Sequence, residues 1–131
     1  MEMEQLDLPP VAFPLLMRLR RRDDVSQEDL VDDFLVDKGT VARTLANLED
    51  AGLVSREVDP DDRRIKRVSV TDRGREVAGD LRAVARRWDG KLMEGFSDEE
   101  RAELMDYLAR MKDNAKRHWH DESAEDDRRE K

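Results

Sequence analysis

The stretch DKGTVARTLANLEDAGLVSREVDPDDRRIKRVSVTDRG, Asp37 to Gly74, decides the fold. Asp37 is a helix N-cap residue type, and Val41, Leu45 and Leu48 recur at i, i+4 and i+7, which sets a helix over Lys38–Ala51 with one apolar face. Gly52 supplies the left-handed position that ends it. Leu53–Val58 follows as a strand, with Leu53 and Val54 expected inward and Arg56 outward. Asp59-Pro60-Asp61-Asp62-Arg63-Arg64 is a charged turn stiffened by proline, and Ile65, Val68 and Val70 mark a second strand. Thr71 or Asp72 then caps another helix.

Working outward, Ser26 followed by Asp29 is a capping-box-like start for a short helix, Gln27–Leu35, with Leu30, Val31 and Phe34 as its buried stripe. Two short helices joined by a turn form a helix-turn-helix, and the hairpin after them is a wing. The expected fold class is therefore mainly α with a small β-hairpin wing (α+β), a winged helix-turn-helix followed by two long C-terminal helices. A first helix is expected over Leu8–Arg22, with Pro14 bending or delaying its start and Arg18, Arg20, Arg21 and Arg22 suiting its C-terminal dipole. The long helices are expected from Thr71 or Asp72 to about Glu94, and from Asp98 to about Trp119. Gly95 separates them, and Ser97 with Glu100 makes a full capping box. The tail from His120 to Lys131 is nearly devoid of apolar residues and reads as disordered.

The chain of 131 residues allows one domain with a modest core, since only 37% is hydrophobic and 44% is charged. Aromatic residues make up 5%, too few for a large aromatic-lined catalytic cleft, and no glycine-rich phosphate loop or nucleophile elbow occurs. No catalytic residue and no cofactor is expected. Cysteine is absent, which removes disulfides and thiolate metal sites. No apolar run is long enough to cross a bilayer and no secretory signal is visible, so a cytoplasmic protein without a membrane partner is expected. The net charge of −8 is unevenly spread: −6 over residues 1–37, +2 over 38–75 and −4 over 76–131. Only the central segment is positive, and it coincides with the helix and wing.

On the helix Lys38–Ala51, the residues Lys38, Thr40, Arg43, Thr44 and Asn47 are expected to lie off the apolar face. Arg can grip guanine and Asn adenine with two hydrogen bonds each, and Thr can meet a thymine methyl. Gly39 lets a DNA backbone approach the helix start. Ser26 and Gln27 stand at a helix N-terminus, a natural phosphate site, although capping explains Ser26 equally well. Arg56 and Lys66 flank the wing as further phosphate candidates.

The run SQEDLVDDFLVDKGTVARTLANLEDAGLVSREVDPDDRRIKRVSVTDRG, Ser26–Gly74, closely resembles the MarR-type (multiple antibiotic resistance regulator) winged-helix transcription factors. The helices VAFPLLMRLRRR and FSDEERAELMDYLARMKDNA look similar to that family too, so the resemblance spans roughly residues 8–115. It is most specific in the wing, at D-P-x-D-x-R followed by a strand and V-T-x-x-G. The resemblance implies a homodimer on a palindromic double-stranded DNA operator, often tuned by a small aromatic or phenolic ligand, and a repressor is expected. It also implies that Asp62 holds Arg64 in a carboxylate–guanidinium pair, leaving Arg63 at the tip for a minor groove or phosphate. On this reading residues 1–9 are an N-terminal extension, 10–75 the DNA-binding domain, 76–119 a helical dimerisation region and 120–131 a charged tail. Family members usually carry a further helix before the one near Pro10. Its absence here would shift dimerisation to the two C-terminal helices.

Other readings compete. Phe13, Met17, Trp88 and Met93 line a small-ligand pocket or are plain core. His118 and His120 flank Trp119 beside Asp121, but no metal site is expected there. The acidic total also suits a winged-helix protein-interaction module that does not bind DNA.

Overall fold

The computed structural model describes residues 8–129. In chain order these form α1 (Ala12–Arg21), β1 (Val25–Ser26), α2 (Gln27–Asp33), α3 (Lys38–Asp50), β2 (Val54–Val58), β3 (Lys66–Val70), α4 (Asp72–Leu92) and α5 (Asp98–Arg129). Two compact units meet in sequence between Trp88 and Asp89.

In the first unit, α1, α2, α3 and the start of α4 enclose a core with the sheet. Leu15, Leu16 and Leu19 come from α1, Leu30 from α2, Val41, Leu45 and Leu48 from α3, Leu53, Val54, Val68 and Val70 from the sheet region, and Val77 with Ala78 from α4. The unit extends past the expected boundary at residue 75 because Gly74, Val77 and Ala78 are buried and Leu81 packs on the same core.

α1 begins at Ala12 rather than Leu8. Pro14 thus falls in the first turn, where a missing N–H costs no helical hydrogen bond. Before it, Ala12 N–H donates to the Pro9 carbonyl at 3.0 Å. α2 ends at Asp33, two residues before the expected end, with Phe34 already extended.

The sheet has three strands in the order β1-β3-β2, all antiparallel, where a two-stranded hairpin was expected. β1 pairs Val25 with Val68 and Ser26 with Arg67. Two residues are too short to show alternation. The available sign was Val25 just before the Ser26 cap, at the staple position, with Leu30 four residues into the helix; both are buried in one core.

The turn from α3 into β2 is closed by backbone alone. Gly52 has φ +76, its N–H donates to Glu49 O at 2.9 Å, and Leu53 N–H donates to Leu48 O at 2.9 Å, with both leucines buried. This is the Schellman ending that Gly52 predicts. β3 returns to the same point. Thr71 N–H donates to Leu53 O at 3.0 Å, Thr71 Oγ1 donates to Gly52 O at 2.7 Å and accepts from Gly74 N–H at 3.0 Å. Thr71 therefore caps α4, and Asp72 is its first residue. A Cβ at Gly74 would overlap the Leu53 carbonyl oxygen and lie 2.7 Å from Val70 Cγ2.

In the second unit, Gly95 at φ +86 breaks the chain after α4. Ser97 Oγ accepts from Glu100 N–H at 3.1 Å while Glu100 Oε1 accepts from Ser97 N–H at 2.9 Å, the expected capping box. The segment expected to be disordered instead continues α5 to Arg129. No glycine or proline follows Gly95, and Glu, Ala, Arg and Lys favour helix whether or not an apolar face exists. Arg128 and Arg129 complement the C-terminal dipole. Residues 130 and 131 of that expectation lie outside the described residues, as does most of the N-terminal extension.

Gly74→Ala should destabilise the fold by about 3 kcal/mol, because the overlapped atom is backbone and cannot rotate away. A urea unfolding curve checks this. Loss of under about 0.5 kcal/mol, the usual scale for a neutral surface change, would show that α4 does not pack here as described.

Candidate nucleic-acid interface

α3 presents its N-terminal half outward. Asp37 caps it, its carboxylate accepting from Thr40 N–H at 2.7 Å. That hydrogen bond, more than the Thr40 hydroxyl or the nearby Arg43 charge, holds the Asp37 carboxyl below the ordinary aspartate range. Lys38, Arg43 and Asn47 are exposed, and Gly39 and Thr40 are partly so. Arg43 leans back over the helix start. Its Nη2 donates to Thr40 Oγ1 at 3.3 Å, and a Cβ on Gly39 would sit 3.0 Å from its Nη1. Gly39 thus makes room for Arg43, besides leaving the helix start open.

Thr44 corrects the expectation for this face. It is 2% exposed, and its hydroxyl donates to Thr40 O at 2.7 Å. The residue lies within the stripe Val41, Leu45, Leu48, and its hydroxyl is satisfied by its own helix, so burial costs little. Thr44 is not available to a base edge in this conformation.

The wing turn is built by its aspartates. Asp59 Oδ1 accepts from Asp61 N–H at 2.8 Å and Asp62 N–H at 3.1 Å, and Asp59 N–H donates to Ile65 O at 2.8 Å. Asp62 accepts from Arg64 three times: from its backbone N–H at 3.0 Å, and from Nε and Nη2, each at 3.1 Å. The Arg64 guanidinium, and then its N–H, hold the Asp62 carboxyl below its ordinary range. The fork pairs Arg64 yet leaves its side chain 90% exposed. Arg63 and Lys66 are exposed beside it.

A groove of about 490 Å³ gathers these parts. Ser26, Gln27, Glu28, Val31 and Asp32 from the α2 end, Lys38 from α3, and Arg64, Ile65 and Lys66 from the wing line it. Five of the expected contact residues therefore share one concave surface. The lining by Val31 and Ile65 was not anticipated; both were read only as core or strand. Ser26 Oγ also accepts from Asp29 N–H at 3.1 Å, so it caps α2 from within the groove.

Arg56 departs from expectation. It turns inward, with its side chain 17% exposed, donating to Glu49 Oε1 at 3.2 Å and to Gln27 Oε1 at 3.4 Å. Period-2 alternation from Val54 already places Arg56 on the inner face; its charge obscured that. A second groove, about 530 Å³, lies along Asp24, Ser55, Glu57, Asp59, Asp61, Arg67 and Ser69. Its carboxylates make it a poor seat for phosphate.

The residues expected to form a ligand pocket are not brought together within the first unit. Phe13 lines a crevice with Leu8, Ala12, Leu16, Leu48, Val77 and Leu81 that leaves about 0 Å³ of free volume. Met17 packs on the core and Trp88 is 57% exposed, while Met93 belongs to the second unit. His118 and His120, two apart on a helix, project to different faces. Among the described residues no helix is long and apolar enough to cross a membrane.

Because the Asp37 carboxyl titrates below its ordinary range, the stability its cap supplies is complete above the ordinary aspartate pKa of about 3.9 and is lost as pH falls through the lowered folded value. Asp37→Asn keeps a capping oxygen without that titration. It should lose less stability than the native chain between about pH 5 and pH 2. Equal losses would mean that the cap does not carry this charge.

Known proteins share this architecture. The MarR family profile matches residues 6–65. The HTH-type transcriptional regulator YdgJ of Bacillus subtilis is 40% identical over 100 residues, covering 76% of this chain but only 61% of that protein. A MarR transcriptional regulator from Methanosarcina mazei Go1 is 38% identical with a TM-score of 0.77, covering 86% of this chain and 81% of that one. A putative MarR-family regulator from Listeria monocytogenes, solved in complex with a 26mer DNA, is 26% identical with a TM-score of 0.81, covering 88% and 77%. All three are named as transcriptional regulators. On this likeness in sequence and in structure, the chain belongs to the MarR family of transcriptional regulators.

Proposed function

We propose that the chain binds double-stranded DNA sequence-specifically as a homodimeric repressor at a palindromic operator. One observation carries the reading: the groove that joins Ser26, Gln27, Lys38, Arg64 and Lys66, with Arg43 and Asn47 exposed on the adjoining helix. A major groove about 12 Å wide admits one α-helix, and α3 is the helix whose outer face carries donors suited to base edges. The wing would then lie alongside, where Arg63 and Arg64 meet a phosphate or a narrow, electronegative minor groove. The DNA complex of the Listeria relative supports this assignment by likeness.

Dimerisation is supported by α5, where Met105, Leu108 and Met111 are exposed at helical spacing in the single chain. A two-fold dimer places half-sites one helical turn, about 10 bp, or a multiple of it apart. Repression would follow from occupying promoter DNA. A small aromatic effector would act by releasing the operator, and it would need a cavity other than the closed crevice at Phe13. The acidic groove on the other face of the wing favours the alternative, a protein-interaction module without DNA binding.

Selection of genomic fragments followed by gel shift separates the two. The DNA reading expects tight, salt-sensitive binding to few fragments, and failure to retain any fragment at low salt sinks it. On the fragment retained, Arg43→Ala should cost about 1–3 kcal/mol and relax preference at one base pair. Equal loss on operator and random DNA would remove its base-reading role. Arg63→Ala should make the slope of log K against log salt shallower by about 0.9. An unchanged slope would take the wing tip off the phosphates.

A further inference from the structure

Arg56 was expected to face DNA and does not, yet it reaches the interface through one neighbour. From β2 its guanidinium spans two helices: Nη2 donates to Glu49 Oε1 at 3.2 Å in the last turn of α3, and Nη1 donates to Gln27 Oε1 at 3.4 Å at the first residue of α2. Glu49 fixes where the guanidinium lies. An arginine has five N–H donors and no acceptor, so the face of the Gln27 amide turned to it must be the oxygen. The other end of the amide, the Nε2 group with two donors, is left without a protein partner among the described residues. Gln27 lines the groove together with Lys38, Arg64 and Lys66.

We propose that Arg56 is a positioning residue that sets the polarity of the Gln27 amide, so that Gln27 offers a donor, never an acceptor, to a DNA phosphate in the groove. This rests on the DNA-binding reading above. An unrestrained glutamine can turn either end outward, and its oxygen would repel a phosphate. Arg56 removes that choice without touching DNA. It also ties the wing strand to both helices of the helix-turn-helix, so the donor is aimed from the same frame that holds the wing.

The test is a double-mutant cycle on the genomic fragment the native protein binds most tightly, using Gln27→Ala, Arg56→Met and the double variant across a salt series. Gln27→Ala should weaken binding about tenfold, the loss of one hydrogen bond to a charged acceptor. Arg56→Met should weaken it by a comparable factor without changing the salt slope, since no phosphate is neutralised by Arg56 itself. The double variant should be no weaker than the worse single. Gln27→Glu keeps the oxygen toward Arg56 but removes the donor, and should bind at least as poorly as Gln27→Ala. A slope shallower by about 0.9 in Arg56→Met would show direct phosphate contact and overturn the proposal. So would multiplicative losses in the cycle, which mark independent roles, or Gln27→Glu binding as tightly as native. If the native protein retains no fragment, the DNA-binding reading itself has failed, an outcome visible before any variant is made.

Discussion

The arrangement depends on how the chain leaves α3. At Gly52 and Leu53 two backbone hydrogen bonds close the helix, a left-handed glycine turns the chain, and Leu53 drops into the core. That turn sets the direction in which β2 departs, and so where the wing stands relative to the outward face of α3. The end of β3 is tied to the same two residues by Thr71, and α4 starts with Gly74 pressed against the Leu53 carbonyl. Two peptide groups thus fix three elements. On the proposed DNA-binding reading, this shared anchor is what holds the outward face of α3 and the wing in one frame.

Charge then organises what apolar packing leaves open. At the end of α1, Asp23 accepts from Val70 N–H at 2.9 Å and from Arg75 at 2.7 Å, and Asp24, held at φ 52, accepts from Arg67 Nε at 3.1 Å. These contacts join the end of α1 to the central strand and to the first turn of α4. Asp62 directs Arg64, and Glu49 with Gln27 takes up Arg56. An acidic chain with a small core uses its carboxylates as acceptors for backbone N–H groups and arginines. Around α3 and the wing tip, Lys38, Arg43, Arg63 and Lys66 stay exposed, with the paired Arg64 still open to solvent.

Much of this was legible in the sequence because single residues carried it. Asp37, Gly52, Ser97 and Glu100 each have a capping role that their type announces, and Asp62 with Arg64 followed from likeness to a known wing. The misses have physical causes. Thr44 was assigned outward by polarity, although its position lies inside the apolar stripe and its hydroxyl can bond within the helix. Arg56 was assigned outward by charge, against the alternation that begins at Val54. β1 is two residues long, below the length at which a period can be read. The segment after His120 was assigned by its lack of apolar residues, which reports on packing and not on helix propensity. For Thr44 and Arg56, polarity outweighed the residue's place in the repeat.

On the proposed reading, α3 and the wing read one stretch of duplex as a unit. Chemical footprinting on the tightest genomic fragment tests it most directly, probing guanine N7 in the major groove and the sugar edge of the minor groove together. Reading as a unit gives two half-sites, each with major-groove protection flanked by a minor-groove or backbone patch, and loss of the flanking patch alone in Arg63→Ala. Major-groove protection with no flanking patch in the native protein, or a patch that persists unchanged in Arg63→Ala, would contradict it.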